Sequence, residues 1–321
     1  MNRRHFFFGS LALAACSRAH NNTRRRVSIV RAASYARGAR SDDLVSMIRH
    51  ILVDHDVAVA GKSIVLKPNL VEFSSHAPAN THPVFVAAAY EAFRSLGARQ
   101  VRIAEGPGHR RATLDMAYDA GFFEAVPEFD SNFTDLNLDE VTRVPVTNAC
   151  STLSHLYLPN TVLGCDLLVS LPKMKTHHWA GATLSMKNLF GVVPGAVYGW
   201  PKNVLHWSGI DESIVDLHGL FPRQFCLVDG IEGMEGNGPI LGTRNYPGVI
   251  VAGSHPPSVD ATCCRIMQID PDRVGYLRLA SRHTGWSSAL VDQIGENIRD
   301  VRTRFALIPA FQHLRLDAAP K

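Results

Sequence analysis

Short apolar runs rich in β-branched residues alternate along this chain with longer stretches whose apolar positions recur at helical spacing. The runs at 27–30, 63–66, 101–104, 167–171, 226–228 and 249–252 predict strands. The stretches at 42–54, 82–96, 113–125, 210–220, 257–267 and 273–281 predict helices, with a shorter one around 183–190. Strands interleaved with helices of this length predict a Rossmann-like α/β fold, a parallel sheet with helices on both faces. Gly97 stands where a helix C-cap belongs. The Gly/Glu-rich stretch 229–242 separates two strands. It marks the expected boundary between an α/β lobe at 27–228, carrying the site, and a smaller α/β lobe at 229–321 packed on it.

The first sixteen residues follow a different pattern: a cationic start, an apolar run at 6–15, and a small-residue end. The run is too short for a membrane-spanning helix, which needs about 20 residues. Arg3-Arg4-x-Phe-Phe resembles the twin-arginine export motif, and Leu13-Ala14-Ala15-Cys16 resembles a lipobox, whose cysteine becomes an acylated N-terminus. The expectation is a protein exported by the twin-arginine machinery and lipid-anchored at Cys16 on the periplasmic face of a bacterial envelope. Residues 17–26, with Arg18, Arg24, Arg25 and Arg26, then form a basic tether, either solvated or drawn to anionic head groups.

Composition adds exclusions. With 46% hydrophobic residues the chain can fill an ordinary globular core, and processing would lower its net charge from +4 to +2. No basic stripe or aromatic platform points to nucleic acid. The six cysteines include no Cys-x-x-Cys pair, so a cysteine-ligated iron–sulfur cluster is not expected.

Polar residues that break the apolar pattern fall where expected strands end, and ligands of open α/β sheets bind beyond the C-terminal ends of their strands. Lys67-Pro68-Asn69 follows one strand, Glu105-Gly106-Pro107-Gly108-His109-Arg110 a second, and Lys173-Met174-Lys175-Thr176-His177-His178 a third. The last run continues through Ala180-Gly181 to Lys187. Imidazoles there supply proton transfer or metal ligation, and lysines supply anion binding or, where buried, a nucleophilic amine. Read alone, the segment is equally a solvated loop. Gly106 and Gly108 could form an anion-binding nest or a plain turn, and the dinucleotide fingerprint is incomplete. Asp229, Glu232 and Glu235 offer carboxylates on a flexible loop, suited to a hard cation or to a simple acidic turn. His206 closely follows the Lys187 segment, whereas His218 ends a helix and reads as structural.

Taken together, Lys67-Pro68-Asn69-Leu70, the segment from Leu171 through Lys187-Asn188-Leu189-Phe190-Gly191, the stretch 229–239 and Val259-Asp260-Ala261 resemble the domain-of-unknown-function 362 family. Gly108-His109-Arg110, and His177 placed ten residues before Lys187 with Ala180-Gly181 between them, are distantly similar to the N-terminal domain of nickel-pincer lactate racemases. Leu184-Ser185-Met186 stands where those racemases have Gly-Gly, and their Asp-x-Thr-Arg loop is missing near Lys67. The resemblance implies His109 and His177, with His178 beside them, as proton-transferring groups. It implies Lys187 as the tether of a metal-pincer cofactor, or else a divalent metal, and His206 as a metal ligand. Lys67, Asn69, Lys173 and Lys175 would complete the cofactor or anion site. The expected function is a cofactor- or metal-dependent enzyme, racemase-like or redox, acting on a small anionic metabolite; the alternative is a non-catalytic lipoprotein that binds a small anion or metal.

Overall fold

The computed structural model describes residues 23–35, 41–73, 76–109 and 112–318. The signal with Cys16, most of the tether, and Arg110 lie outside the described residues. The strands in chain order are β1 (Arg25–Arg31), β2 (Ser63–Pro68), β3 (Gln100–Glu105), β4 (Phe133–Asp135), β5 (Val141–Pro145), β6 (His155–Pro159) and β7 (Leu167–Leu171). They continue with β8 (Lys173–His177), β9 (Gly181–Thr183), β10 (Gln224–Asn237), β11 (Leu241–Asn245), β12 (Val249–Gly253) and β13 (Val291–Gly295).

One large, mainly parallel sheet runs β13-β1-β12-β10-β7-β2-β3-β4, with β8, β9 and β11 attached around β10, while β5 and β6 form a separate hairpin. From β10 to β4 every pair along the sheet is parallel. β12 breaks the rule by lying antiparallel between β1 and β10. The continuous apolar character of the strands follows from burial on both faces. Along β2, Ile64 and Leu66 enter one core and Val65 the other, and Phe225 and Leu227 on β10 likewise oppose Cys226 and Val228. The helices Ser41–Asp54 and Pro83–Ser95 cover the first face; Ile210–Gly219, Pro256–Ile266 and Gly275–Thr284 cover the second.

Most expected elements are present, and the departures have local causes. His82 caps Pro83–Ser95 by accepting the Val84 N–H, and Gly97 ends that helix at φ 81°. The stretch expected as one helix over 113–125 is broken by Gly121 at φ 80° into Thr113–Asp119 and Phe122–Ala125. Arg25 and Arg26, expected in a solvated tether, begin β1, and Arg26 donates to the Asp54 carbonyl. The stretch expected to divide two lobes is not a flexible linker. Asp229 sits inside β10, and β12 and β13 complete the same sheet from the C-terminal third. Among the described residues no helix is long and apolar enough to cross a membrane.

Candidate functional site

Beyond the C-terminal ends of β2, β3 and β7 lies a cleft enclosing about 890 Å³ of empty space, its open mouth included. Lys67, Asn69, His109, Lys175, His177, His178, Lys187 and His206 all line it, so residues spread over 140 positions of sequence converge on one place. Lys173 does not join them. It opens β8 beside a neighbouring cleft, where its ammonium contacts the Asp229 carboxylate at 2.6 Å, the Tyr35 hydroxyl at 3.0 Å and the Glu232 carbonyl at 3.2 Å. With its three protons engaged, Lys173 anchors β8 to β10 and stands apart from the cleft that the other expected residues line.

The floor is an ion pair. Lys67 Nζ meets Glu105 Oε2 with both side chains fully buried, and it also donates to Asn188 Oδ1 at 3.1 Å. Asn188 holds the opposite side by donating to the Lys67 carbonyl and Ser170 Oγ, each at 3.0 Å. Gly191 makes room: a Cβ there would stand 1.9 Å from Glu105 Oε1 and 2.5 Å from Lys67 Nζ. A buried pair stripped of such partners would not repay its desolvation.

Lys187 occupies the helix Ser185–Asn188, whose first two amides donate to buried Asp260 at 2.8 and 3.1 Å. Burial raises the Asp260 carboxyl to about 7, against the lowering effect of those amides. The Lys187 ammonium faces the Phe190 ring at 3.7 Å and has no hydrogen bond or ion pair among the described residues. Burial, then repulsion from Lys67 and Lys202, brings it down to about 7. It is a half-buried amine at the cleft, not the surface-loop amine that its polar neighbourhood suggests.

β8 is a strand where a loop was expected, and it delivers Lys175 and His177 to the cleft. Lys175 is fully buried, donates to the Ala79 carbonyl at 2.7 Å, and is held well below the usual lysine range by burial and by Lys187. His177 Nδ1 accepts the Trp179 and Ala180 amides at 3.0 and 3.2 Å, which puts its proton on Nε2. Burial and Lys187 keep that ring neutral, far below its ordinary value. In His178, Nδ1 donates to the Gly238 carbonyl at 2.7 Å, which leaves Nε2 as an acceptor in the neutral ring. The two rings stack with centroids 5.0 Å apart. Neighbouring imidazoles thus hold opposite tautomers, one presenting an N–H and the other a lone pair.

His109 is exposed at the mouth. His206 packs edge-on to Trp179 and Phe190, is lowered to about 4 by burial and by Lys187, and its Nδ1 has no hydrogen-bond partner. Asn69 Oδ1 and Thr183 Oγ1 are likewise buried and unpartnered beside the cleft. Such atoms call for a ligand or solvent. Glu105, Asn188, Thr183 and Lys202 also belong to the lining. Lys202 escaped the sequence reading because it lies in a short irregular segment without periodicity. Its φ is +64°, and its buried ammonium donates to the Gly106 carbonyl.

The donor set decides which cofactor suits the cleft. Among the described residues no three of His, Cys, Asp and Glu gather as a metal-holding group, so a divalent metal held by side chains alone does not fit. A group anchored through an amine and bringing its own donors fits better, since Lys187 and the unpaired His206 nitrogen lie in one cleft. The acidic residues of 229–239 hold no cation site either. Asp229 pairs with Lys173, Glu232 with Arg244 at 3.7 Å, and Glu235 accepts from Asn245 and the Ala306 amide.

A thylakoid-associated protein of Synechocystis sp. is 26% identical over 269 residues, 80% of this chain and 79% of that one. The lactate racemase apoprotein of Thermoanaerobacterium thermosaccharolyticum aligns with a TM-score of 0.47 at 14% identity, over 77% of this chain and 58% of its own. A Thermotoga maritima protein gives 0.43 at 13%, over 78% and 59%. The chain therefore spans less than two thirds of either solved chain. Residues 64–265, which run from β2 through Lys187 to the Asp260 helix, match the family described as Domain of unknown function (DUF362), and the chain belongs to that family.

Proposed function

We propose that the cleft is the active site of an enzyme that moves a proton on a small anionic metabolite, racemase-like in outcome, or redox where a bound cofactor also takes up hydride. The reading is carried by the opposite tautomers of His177 and His178, stacked at 5.0 Å in a cleft with an unpaired amine. The His178 lone pair can take a proton from the substrate and return it, while the His177 N–H donates a hydrogen bond to the oxygen on which charge develops, without prior rearrangement of either ring. The lysines bind and orient the anion, and the apolar faces of Phe190 and Trp179 keep water from Lys187 and His206. Lys187, with part of its population unprotonated near neutrality, is the residue that would hold a tethered metal cofactor, and such a group supplies an acceptor for hydride.

We further propose export and lipid attachment at Cys16, for which the two N-terminal motifs speak; a relative described as thylakoid-associated accords with a membrane location. Labelling with radioactive palmitate, lost in Cys16→Ala, tests the anchor, and an unlabelled native protein would refute it.

The enzyme reading is tested by intact mass and by solvent deuterium exchange into L-lactate and related small carboxylates. The expected result is added mass that disappears in Lys187→Ala, with exchange abolished in His177→Asn and His178→Asn. In those variants the asparagine amide mimics the Nδ1 hydrogen bond and removes only Nε2. An unmodified mass together with no exchange on any carboxylate would leave the non-catalytic anion binder as the surviving account.

A further inference from the structure

The geometry points to a ligand carrying two negative charges, a small dicarboxylate or a phosphomonoester, as the natural occupant of this cleft. The inference rests on the anion-binding part of the proposed function and narrows its substrate class.

Among the described residues, three lysines at the cleft have no anionic partner. Lys175 reaches only the carbonyls of Ala79 and Pro239, Lys202 only that of Gly106, and Lys187 none. Carbonyl dipoles solvate an ammonium without cancelling its charge. Lys175 and Lys202 are buried to 0% and 3% exposure, so water does not do the cancelling either. Among the described residues, the one carboxylate lining the cleft, Glu105, is already taken by Lys67. Asp135, behind Lys202, is partly buried and accepts the Asn137 amide at 2.9 Å. The remaining titratable groups facing the site are His109, His177, His178 and His206, none of them a source of negative charge.

Lys175 and Lys202, when protonated, outnumber the charge of a monoanion and leave a bare ammonium in a desolvated space, whether or not Lys187 is tied to a cofactor. A dianion matches that pair, and an untethered Lys187 adds a third, more exposed cation to it. The buried, unpartnered Thr183 hydroxyl and Asn69 side chain add polar contacts for such a ligand's oxygens and hydroxyls. Burial depresses all three lysines, two of them to about 7; repulsion from neighbouring lysines adds to it, while at Lys202 attraction to Glu105 and Asp135 opposes it. Lys187 and Lys202 carry their full charge below neutrality and lose it as the pH rises. A dianion raises their proton affinity in return, so binding takes up protons from solution.

Isothermal titration calorimetry on the full chain at pH 7.5 tests this, with malonate and methyl phosphate as dianions and propionate as the monoanion close to malonate in size. Two buffers of different ionisation enthalpy report the protons. The expected result is that at least one dianion binds about tenfold or more tighter than propionate, with proton uptake, and the better of the two identifies the headgroup. Lys202→Met should weaken dianion binding by a larger factor than propionate binding and so erase most of that preference. Equal affinities for all three ligands, or a preference untouched by Lys202→Met, would overturn the inference. The ligand comparison on the unsubstituted chain decides the matter even where that variant misfolds. Dianion preference without deuterium exchange would refute the enzyme reading alone; exchange on monocarboxylates without dianion preference would refute the dianion alone.

Discussion

Lys187 shows at the scale of one side chain what the site costs the fold. Its ammonium has an aromatic face at 3.7 Å and cationic neighbours in Lys67 and Lys202, so the folded chain holds it at about 7. An unfolded chain holds lysine near 10.4. Between those values the unfolded state binds more protons than the folded one, so this group makes stability rise with pH. Its destabilising effect is complete below pH 7 and fades toward pH 10. Lys187→Met, which keeps the stem and discards the charge, should therefore raise the thermal midpoint at pH 6 by a few degrees. That is on the order of 1 kcal/mol once solvent screening of a half-buried group is allowed for. The gain should shrink by pH 9.5. Thermal melts at both pH values check it, and an equal gain at both would mean that packing, not charge, sets the difference. Asp260 works in the opposite sense. Raised to about 7 by burial, it is charged only above neutrality, where it accepts two amides of the Lys187 helix. Asp260→Ala should leave those donors unpaired and cost about 2–3 kcal/mol. Urea unfolding at pH 8 measures that loss, and a change under 0.5 kcal/mol would show that solvent replaces the carboxylate.

The element that carries Lys187 is a four-residue helical turn, far too short to hold its shape by backbone bonding alone. Its position comes from Asp260 at its start, Asn188 at its end and the close approach of Gly191 to the Lys67–Glu105 pair. Gly191→Ala should therefore collapse the site, lowering the thermal midpoint by ten degrees or more or yielding insoluble protein. Gly219→Ala is the matched control. It lies in the helix Ile210–Gly219 with open space where its Cβ would go, and alanine there should be neutral or slightly stabilising. Similar losses in both variants would refute the cradle. The contrast also explains which elements the sequence reveals. Pro83–Ser95 is legible because its periodicity and both caps are local features. β8 is not, because Lys173, Lys175 and His177 read as solvent-seeking until Asp229, the Ala79 carbonyl and two backbone amides are brought to them. The cluster of site residues was legible as strand ends. The assignment of Lys173 to one cleft and Lys175 to another depends on pairing with β10, which no local pattern encodes. Lys202 and Asn188 act through contacts with residues dozens of positions away, so they too were invisible as site residues.

For the molecule as a whole, the difference between two lobes and one body turns on β1. Its two neighbours in the sheet are β12 and β13, both from the C-terminal third, and it pairs with no strand from residues 27–228. The apolar residues Val27 and Ile29 are wholly buried there. A chain ending at residue 228 would also sever β10 in mid-strand, taking from β8 its partners Asp229 and Met234 and removing Asp229 from Lys173 and Tyr35. Composition suggested a boundary at 229–242 because glycine and acidic residues usually mark loops. In this fold the glycines serve close approach: a Cβ at Gly230 would meet the Met174 side chain at 2.8 Å, and one at Gly233 the Met174 carbonyl at 2.8 Å. Burial of an unpaired Lys173 would by itself cost several kcal/mol. The fragment 23–228 should consequently show no cooperative thermal transition and should be digested throughout by protease, whereas 23–318 should unfold in a single step. Circular dichroism melts and limited proteolysis of both chains read this directly. A cooperative melt for the shorter fragment would restore the two-lobe organisation and make the β1 pairings an addition to a lobe already able to fold without them.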